Sequence, residues 1–292
     1  MRVTGNYLID LASASTQKAE QQVATATQQA SSGLRVDTPQ VDPAAWALAH
    51  RAQDRTTLST ARGTAIAQAR ERLQVTDGAF GSIANLVQQA RAAAVEGANG
   101  GLDANARSEL AATVQGYLSS AVAIANSRTS DGEYVLGGSR STTPPFDAAG
   151  NYAGDAGTRA IESGEGRQQT IGVPGSAITA SSGIDVLPAL AALATALSSN
   201  NLGAIQASID TLSAATQQVA RAQVDAGTAL ASLDDADGAR GQLEVNLAAT
   251  LSRAQDADPV EAATELAKAS NALATSQAVA SHVLALVQTP GQ

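Results

Sequence analysis

Apolar and polar positions follow a helical period along most of the chain. Alternating steps of four and three place Ala12, Thr16, Ala19, Val23, Ala26, Ala30 and Gly33 on one face, a heptad seam built from small side chains. Gly33 is a helix stop, Pro39 lies in the loop that follows, and Asp42-Pro43 reads as an N-cap with Pro at the first helical position. The next helix is predicted from about Pro43 to about Glu96, with the seam Ile66, Ala69, Leu73, Thr76, Phe80, Ile83, Val87, Ala90 and Ala94. At the α-helical rise it would be roughly 80 Å long. Followed backwards, the same register meets Arg62, Ser59 and Arg55, so the first part of this helix should pack differently or be more exposed. Asn99-Gly100-Gly101 breaks the pattern. Asp103 then caps a third helix with the seam Leu110, Val114, Tyr117, Ala121 and Ile124.

From about Ser130 to Gly183 the period of 3.6 disappears and Gly, Pro, Ser and Thr become frequent. The runs 133–136 and 169–173 read as strands, and the polar stretch Asp147 to Asp155 reads as a hairpin turn. Helical spacing resumes after Asp185, with Leu202, Ile205, Ile209, Leu212, Thr216, Val219, Gln223, Ala226, Leu230 and Leu233 in one register. Asp258-Pro259-Val260-Glu261 has the form of a capping box. It opens a last helix with the seam Ala262, Leu266, Ala269, Leu273, Ser276, Ala280, Val283 and Val287. The order is helix, long helix, insertion, long helix, helix. The expected fold is mainly α: a long helical coiled-coil bundle formed by the N- and C-terminal halves, with a small β-rich insertion. The expected parts are 1–41 plus 257–292, 42–130 plus 184–256, and 131–183. The simplest packing brings both chain ends to one tip and the insertion to the other.

Composition sharpens this picture. The 292 residues hold two Phe, four Tyr and one Trp, against roughly 65 Ala, far above ordinary usage. Aromatics supply much of the buried area of a compact core, so these cores must be thin and aliphatic, and Ala favours long helices. Net charge is −9, with no basic block, which argues against nucleic acid and against anionic membranes as partners. With no Cys, disulfides, thiol catalysis and Cys-ligated metals are excluded. The most apolar run, Ile184 to Leu197, is interrupted by Asp185 and Pro188, so no membrane span is expected. Asp10 interrupts the stretch that would serve as the core of a secretory signal, so no ordinary signal peptide is expected.

Candidate chemistry is sparse, and no catalytic, metal-binding or cofactor-binding set is expected. The two His, His50 and His282, lie in opposite halves of the chain and read as solvated helix surface. No local triad, zinc-protease or phosphate-loop pattern can be assembled. Residues 233–244 can be laid on a calcium loop, with Asp235, Asp237, Gly238 and Glu244 at ligand or turn positions. Leu233 stands where the first ligand would be, and the segment continues a helical seam. A solvated acidic turn or helix surface is the competing reading. The two end helices allow two readings of their own. Their Ala-rich seams pack on each other in a stable monomer, or they are too weak alone and order when neighbouring copies supply surface; small side chains favour the second.

Several motifs are familiar. Ser31-Ser-Gly-Leu-Arg-Val36 resembles the signature that follows the first helix in the bacterial flagellin superfamily, and Pro39, Asp42 and Pro43 resemble its hook–filament junction branch. Ala98 to Asp103, Arg107 and Ala125-Asn126 resemble the turn and third helix of that superfamily. Residues 131–138, Pro145-Phe-Asp147 and 150–154 resemble elements of the junction branch, with Leu136 in place of the usual Phe. Asp256 to Ala263, with Leu266 and Leu273, resembles the last helix of both branches. Met1 to Thr4 with Tyr7 resembles a junction protein, whereas the polar end 286–292 departs from relatives that end in an apolar tip. The resemblance implies a structural flagellar component, extracellular and exported through the flagellar channel without a cleaved signal peptide. Its partners would be copies of itself, a neighbouring hook-associated protein, flagellin and an export chaperone. It implies terminal helices that bundle into an inner tube and are poorly ordered in the monomer, with contacts through Leu8, Leu11, Val23, Leu273, Ala280, Val283 and Leu286. The loop carrying Gly33, Leu34, Arg35, Pro39, Asp42 and Pro43 would join this layer to the long helices, and the insertion would face outward. A filament flagellin with a short outer domain stays open, as does a secreted adhesin or glycan-binding protein acting through residues 130–183.

Overall fold

A computed structural model describes the backbone of residues 2–288 and the side chains of residues 6–286. Met1 and the polar end 289–292 lie outside the described residues, as do the side chains of Val287 and of Arg2 to Gly5. Among the described residues, six α-helices run in the order α1 (Arg2–Ser32), α2 (Pro43–Gly97), α3 (Ala104–Ala125), α4 (Val186–Ser198), α5 (Leu202–Gln255) and α6 (Pro259–Gln288). Two short strands, β1 (Ala160–Gly164) and β2 (Arg167–Thr170), form the sole sheet among the described residues. The chain divides into two compact units. One comprises residues 1–58 and 243–292, the other residues 59–242. In each, segments from the two halves of the chain come together, as the pattern predicts.

The second unit holds the large core. The predicted α2 seam from Ile66 to Ala94 is buried at every position. It shares one cluster with α3, α4, α5 and the insertion, which includes Phe80, Ile83, Leu118, Leu193 and Ile205. Gly63 lies beside Arg240, Arg70 pairs with Asp234, and Gly81 lies beside Gln223. Partner numbers fall as the first numbers rise, so α2 and α5 run antiparallel. At the end of α2, a Cβ on Gly97 would collide with the Leu197 side chain; glycine lets α4 close on this helix end. The apolar run noted above becomes α4, an interior helix with Val186, Leu187, Leu190, Leu193 and Leu197 buried. Pro188 sits in its first turn, where no intrahelical donor is lost. Among the described residues, no helix is long and apolar enough to cross a membrane.

Three expectations need correction. On α3 the buried stripe is Arg107, Ala111, Val114, Leu118, Ala121 and Ala125; the larger Leu110, Tyr117 and Ile124 sit half-buried at its edge. Ala at three of these positions lets α3 pack closely on α4. In the insertion, residues 133–136 form no strand: Tyr134 makes an isolated bridge to Arg128. The observed hairpin pairs Ala160 with Thr170 and Ile161 with Gln169, so only the first part of 169–173 is strand. Side-chain-to-backbone bonds from neighbouring helices take up the carbonyls that a ladder would otherwise pair. On α2, Ser59 is buried although the register there is polar. The Asp147 turn is as expected, with Phe146 bridged to Tyr152 and Asp147 Oδ1 accepting from the amides of Ala149 and Asn151, both at 2.9 Å. Residues 233–244 lie inside α5, so the chain forms no calcium loop there.

Candidate assembly site

The first unit is built on a thin seam. α1 packs along α6, and its buried or half-buried positions are Ala12, Thr16, Ala19, Val23 and Ala26, as predicted. Ala30 and Gly33 are exposed, with Gln29 turned inward instead. On α6 the predicted seam from Ala262 through Leu266, Ala269, Leu273, Ser276 and Ala280 to Val283 is the inward face throughout. Among the described residues, eight of the ten fully buried apolar side chains of this unit are Ala, with Val36 and Leu247 the exceptions.

The loop between α1 and α2 holds the pair in register. Gly33 takes φ +72°, the left-handed stop that glycine adopts without steric penalty. The chain then lies against the junction of α5 and α6. Leu34 bridges Asp256, and Gly33 O accepts from Ala257 N at 2.8 Å. Arg35 N donates to Gln255 O at 2.7 Å, and the Arg35 guanidinium donates to Ala254 O at 3.0 Å. Val36 is fully buried as the plug of this crossing. Pro39 sits in a turn closed by Val41 N donating to Thr38 O at 3.2 Å. Asp42 Oδ1 caps α2 by accepting from Ala44 N at 3.1 Å and Ala45 N at 3.0 Å, with Pro43 as first helical residue. With Gly33 tied to Ala257 and the two helices in contact along their lengths, α1 and α6 run antiparallel.

The predicted contact residues separate into two sets. Val23, Leu273, Ala280 and Val283 lie half-buried in the seam. Leu8, Leu11 and Leu286 are exposed, at 47%, 55% and 62%. On α1, Leu8 and Leu11 form the ridge beside the seam. On α6, Val279 and Leu284 are exposed as well. Of the thirteen large apolar side chains that are exposed among the described residues, eleven belong to this unit. Exposed apolar side chains are thus concentrated on this unit. Farther along, the groove between the helices turns polar, with Lys18, Gln22, Glu265 and Lys268; Lys268 pairs with Glu265 at 2.7 Å, which holds its ammonium above the usual range. His50 and His282 are exposed as expected, and His50 stacks on Trp46 with ring centroids 3.8 Å apart.

The second unit carries a polar frame that sequence reasoning missed. Arg72 on α2 donates to Tyr134 O at 3.0 Å and Val135 O at 3.2 Å, and pairs with Glu133 at 3.1 Å. Arg159 grips the same carboxylate at 2.6 Å. That hydrogen bond holds the Glu133 carboxyl below its usual range against the opposing effect of burial. Burial, with the Arg159 charge nearby, pushes the Arg72 guanidinium down. Gln218 on α5 donates to the carbonyls of Ala177, Thr179 and Ile184 at 3.0 to 3.1 Å and accepts from Ile184 N at 2.7 Å. Asn126 clasps both backbone groups of Phe146. Tyr152 shares its hydroxyl between Leu136 O and Asp155 O, and burial, with the Asp155 charge, pushes it up to about 12. These groups are structural ties: each satisfies loop backbone that a strand ladder does not.

The fold is that of a long helical protein in which the helices from both ends of the chain build one antiparallel pair. Residues 3–141 match the bacterial flagellin N-terminal helical region. Comparison with curated protein sequences finds no match. Among solved structures, a flagellar hook-associated protein from Vibrio parahaemolyticus superposes with a TM-score of 0.68 at 18% identity, over 74% of this chain and 100% of that one. FlgL of Xanthomonas campestris gives 0.61 at 17% identity, over 69% and 99%. Flagellar hook-associated protein 3 of Legionella pneumophila gives 0.62 at 15% identity, over 70% and 98%. Residues 3–141 thus resemble the flagellin N-terminal helical region, and the fold of the chain is that of the hook-associated proteins.

Proposed function

We propose that this chain is a structural subunit of the bacterial flagellum, a hook-associated junction protein that links hook to filament by helical assembly. The observation that carries the reading is the concentration of exposed apolar side chains on the unit whose own core is nearly all Ala. A seam of that kind contributes little burial for its length, so further stabilisation has to come from contacts with other chains. In this reading, the segments 1–41 and 257–292 are completed by neighbouring copies and form an inner tube. Leu8, Leu11 and Leu286 make contacts between copies, while Val23, Leu273, Ala280 and Val283 set the pair's own register. Residues 42–130 and 184–256 form the surrounding shell, and residues 131–183 face outward. The Gly33 to Pro43 loop joins tube to shell. The partners are copies of this chain, an adjoining hook-associated protein, flagellin, and a chaperone during export through the flagellar channel. The protein works mechanically, without a catalytic site.

Two competing readings fare differently. A glycan-binding role would need an aromatic platform on the insertion, but Tyr134 and Phe146 are buried there and Tyr152 is half-buried with its hydroxyl engaged. A minor filament flagellin shares the terminal helices and is separated by experiment. Electron microscopy of a strain lacking the gene should show bare hooks, with flagellin lost into the medium. Hooks that still carry filaments would overturn the junction role. Complementation with Leu8→Ser/Leu11→Ser should restore secretion of the protein but not filament attachment.

A further inference from the structure

The turn between α2 and α3 holds the chain's sole Asn-Gly pair, Asn99-Gly100. Both residues are exposed. Three features of the turn bear on one reaction. First, the Asn99 side-chain carbonyl, Oδ1, accepts from Gly101 N at 3.1 Å. A donor there polarises Cγ and stabilises the oxyanion that forms when a nucleophile adds to it. Second, the Gly100 amide nitrogen, the group that attacks Cγ in this reaction, has no hydrogen-bond partner among the described residues. Gly100 also has no side chain to obstruct ring closure, and a Cβ there would meet nothing within 4 Å. Third, the carbonyl of the same peptide bond, Asn99 O, accepts twice: from Leu102 N at 3.1 Å and from the guanidinium of Arg107 at 2.8 Å. When the Gly100 nitrogen gives up its proton, the negative charge moves onto that oxygen, where a charge-assisted bond from Arg107 stabilises it. Arg107 is itself buried, fixed by further bonds to Gly97 O and to the Asn200 side chain, so this donor is held in place before reaction.

We infer that Asn99-Gly100 is a self-modifying site, at which the turn and Arg107 drive deamidation of Asn99 in the folded protein. The Gly100 nitrogen loses its proton to solvent and bonds to Asn99 Cγ. The Cγ–Nδ2 bond breaks, and nitrogen leaves as ammonia with a proton from water. Water then opens the cyclic imide. Cleavage of the new Cγ–N bond leaves aspartate in an ordinary chain, whereas cleavage of the original peptide C–N bond leaves isoaspartate, with one more methylene in the main chain. Water enters, ammonia leaves, and nothing is oxidised or reduced. Either product adds a negative charge just beyond the C-terminal end of α2, where the helix dipole disfavours it. The isoaspartate form also displaces the carbonyl that Arg107 holds. Other asparagines in the chain lack the arrangement: Asn126 is followed by Ser and clasps Phe146, and Asn151 is followed by Tyr and bound to Asp147.

The test is peptide mapping by mass spectrometry, with enzymatic methylation to mark isoaspartate, on the purified full-length chain aged in mildly alkaline buffer. A synthetic peptide spanning residues 96–104 is aged beside it. The folded chain should convert at Asn99 at least as fast as the peptide. Conversion slower than in the peptide by about tenfold or more would overturn the inference. Arg107→Gln should lower the rate in the folded chain and Arg107→Lys should restore part of it, with circular dichroism confirming helix content in each. An unchanged rate in a folded Arg107→Gln chain would also overturn it. Gly100→Ala, which leaves the Arg107 contacts in place, should slow the reaction, and an unslowed rate there would count against ring closure through this nitrogen.

Discussion

The two units of this chain are both helical and both join its N- and C-terminal halves, yet they treat apolar surface in opposite ways. In the 59–242 unit the largest buried side chains, Phe80, Leu118, Leu193 and Ile205 among them, meet in one cluster. Only Val95 and Val224 among its described large apolar side chains are exposed. In the other unit Ala fills the seam, and Tyr7, Leu8, Leu11 and Leu286 stand in water. The difference is one of side-chain size rather than helix length. An Ala seam sets a register and brings backbones close but removes little area from water, whereas a Leu or Phe seam stabilises by itself. The first kind of helix suits a surface to be completed by other chains, and the second suits a body that is whole before assembly.

The largest effect should come from setting the two cores against each other. Phe80→Ala opens the centre of the enclosed cluster and should cost about 3–5 kcal/mol. Leu273→Ala, half-buried in the terminal seam, should cost about 1 kcal/mol, in keeping with partial burial of one side chain. The sole Trp, Trp46, lies in the terminal unit, so its fluorescence and far-ultraviolet circular dichroism report different parts. In urea, the Trp46 transition should come first and move with Leu273→Ala, while the dichroism transition should move with Phe80→Ala. Coincident transitions that respond equally to both variants would mean that the units share one stability, and the contrast would fail.

A smaller effect probes how the enclosed unit holds loops without strands. Gln218→Leu removes the amide that serves Ala177, Thr179 and Ile184. Stranding those half-buried carbonyls should cost about 1 kcal/mol or somewhat more. The loss should appear as faster hydrogen exchange over residues 175–186 and leave α1 and α6 unchanged. Exchange that rises equally in both units would show that the insertion is not tied separately to this body.

Much of this was legible in the sequence, for a physical reason. Helix seams are repeated signals, and the α2 and α6 registers each rest on seven or more positions that agree with one another. Capping residues such as Asp42, Asp103 and Asp258 are local chemistry, and each caps the helix it announces. What stayed hidden has no period. Arg72 and Gln218 look like ordinary polar residues on long helices; only the fold shows that their heads enter the insertion. Residues 133–136 form no strand because the Tyr134 and Val135 carbonyls accept from Arg72 rather than from a neighbouring strand. On α3 the spacing puts Leu110, Tyr117 and Ile124 in the seam with Val114 and Ala121; the last two are buried, but the stripe turns slightly round the helix to take in Ala111, Leu118 and Ala125 instead of the other three. Of the candidate contacts, the half-buried four follow from the seam alone, whereas nothing in the period distinguishes Leu8 and Leu11 from ordinary flanking positions.

The smallest expected effect concerns pH and again separates the units. Glu133 accepts from Arg159 and Arg72, and its carboxyl lies below the ordinary glutamate range in the folded chain. In the unfolded chain the same carboxyl titrates normally, so between the two values the unfolded state binds more protons. Stability from this group is therefore present above the ordinary glutamate range and is lost as pH falls through the lowered value. Because the carboxylate keeps about a third of its exposure, solvent screening limits the contribution to within about 1 kcal/mol. Glu133→Gln should narrow the stability gap to wild type as the medium is acidified, read from urea midpoints by dichroism, with the Trp46 transition unaffected. A gap that stays constant into acid would show that Glu133 positions Arg72 and Arg159 by shape rather than by charge. The insertion would then be held by neutral and backbone bonds such as those of Arg72, Gln218 and Asn126 rather than by the Glu133 charge.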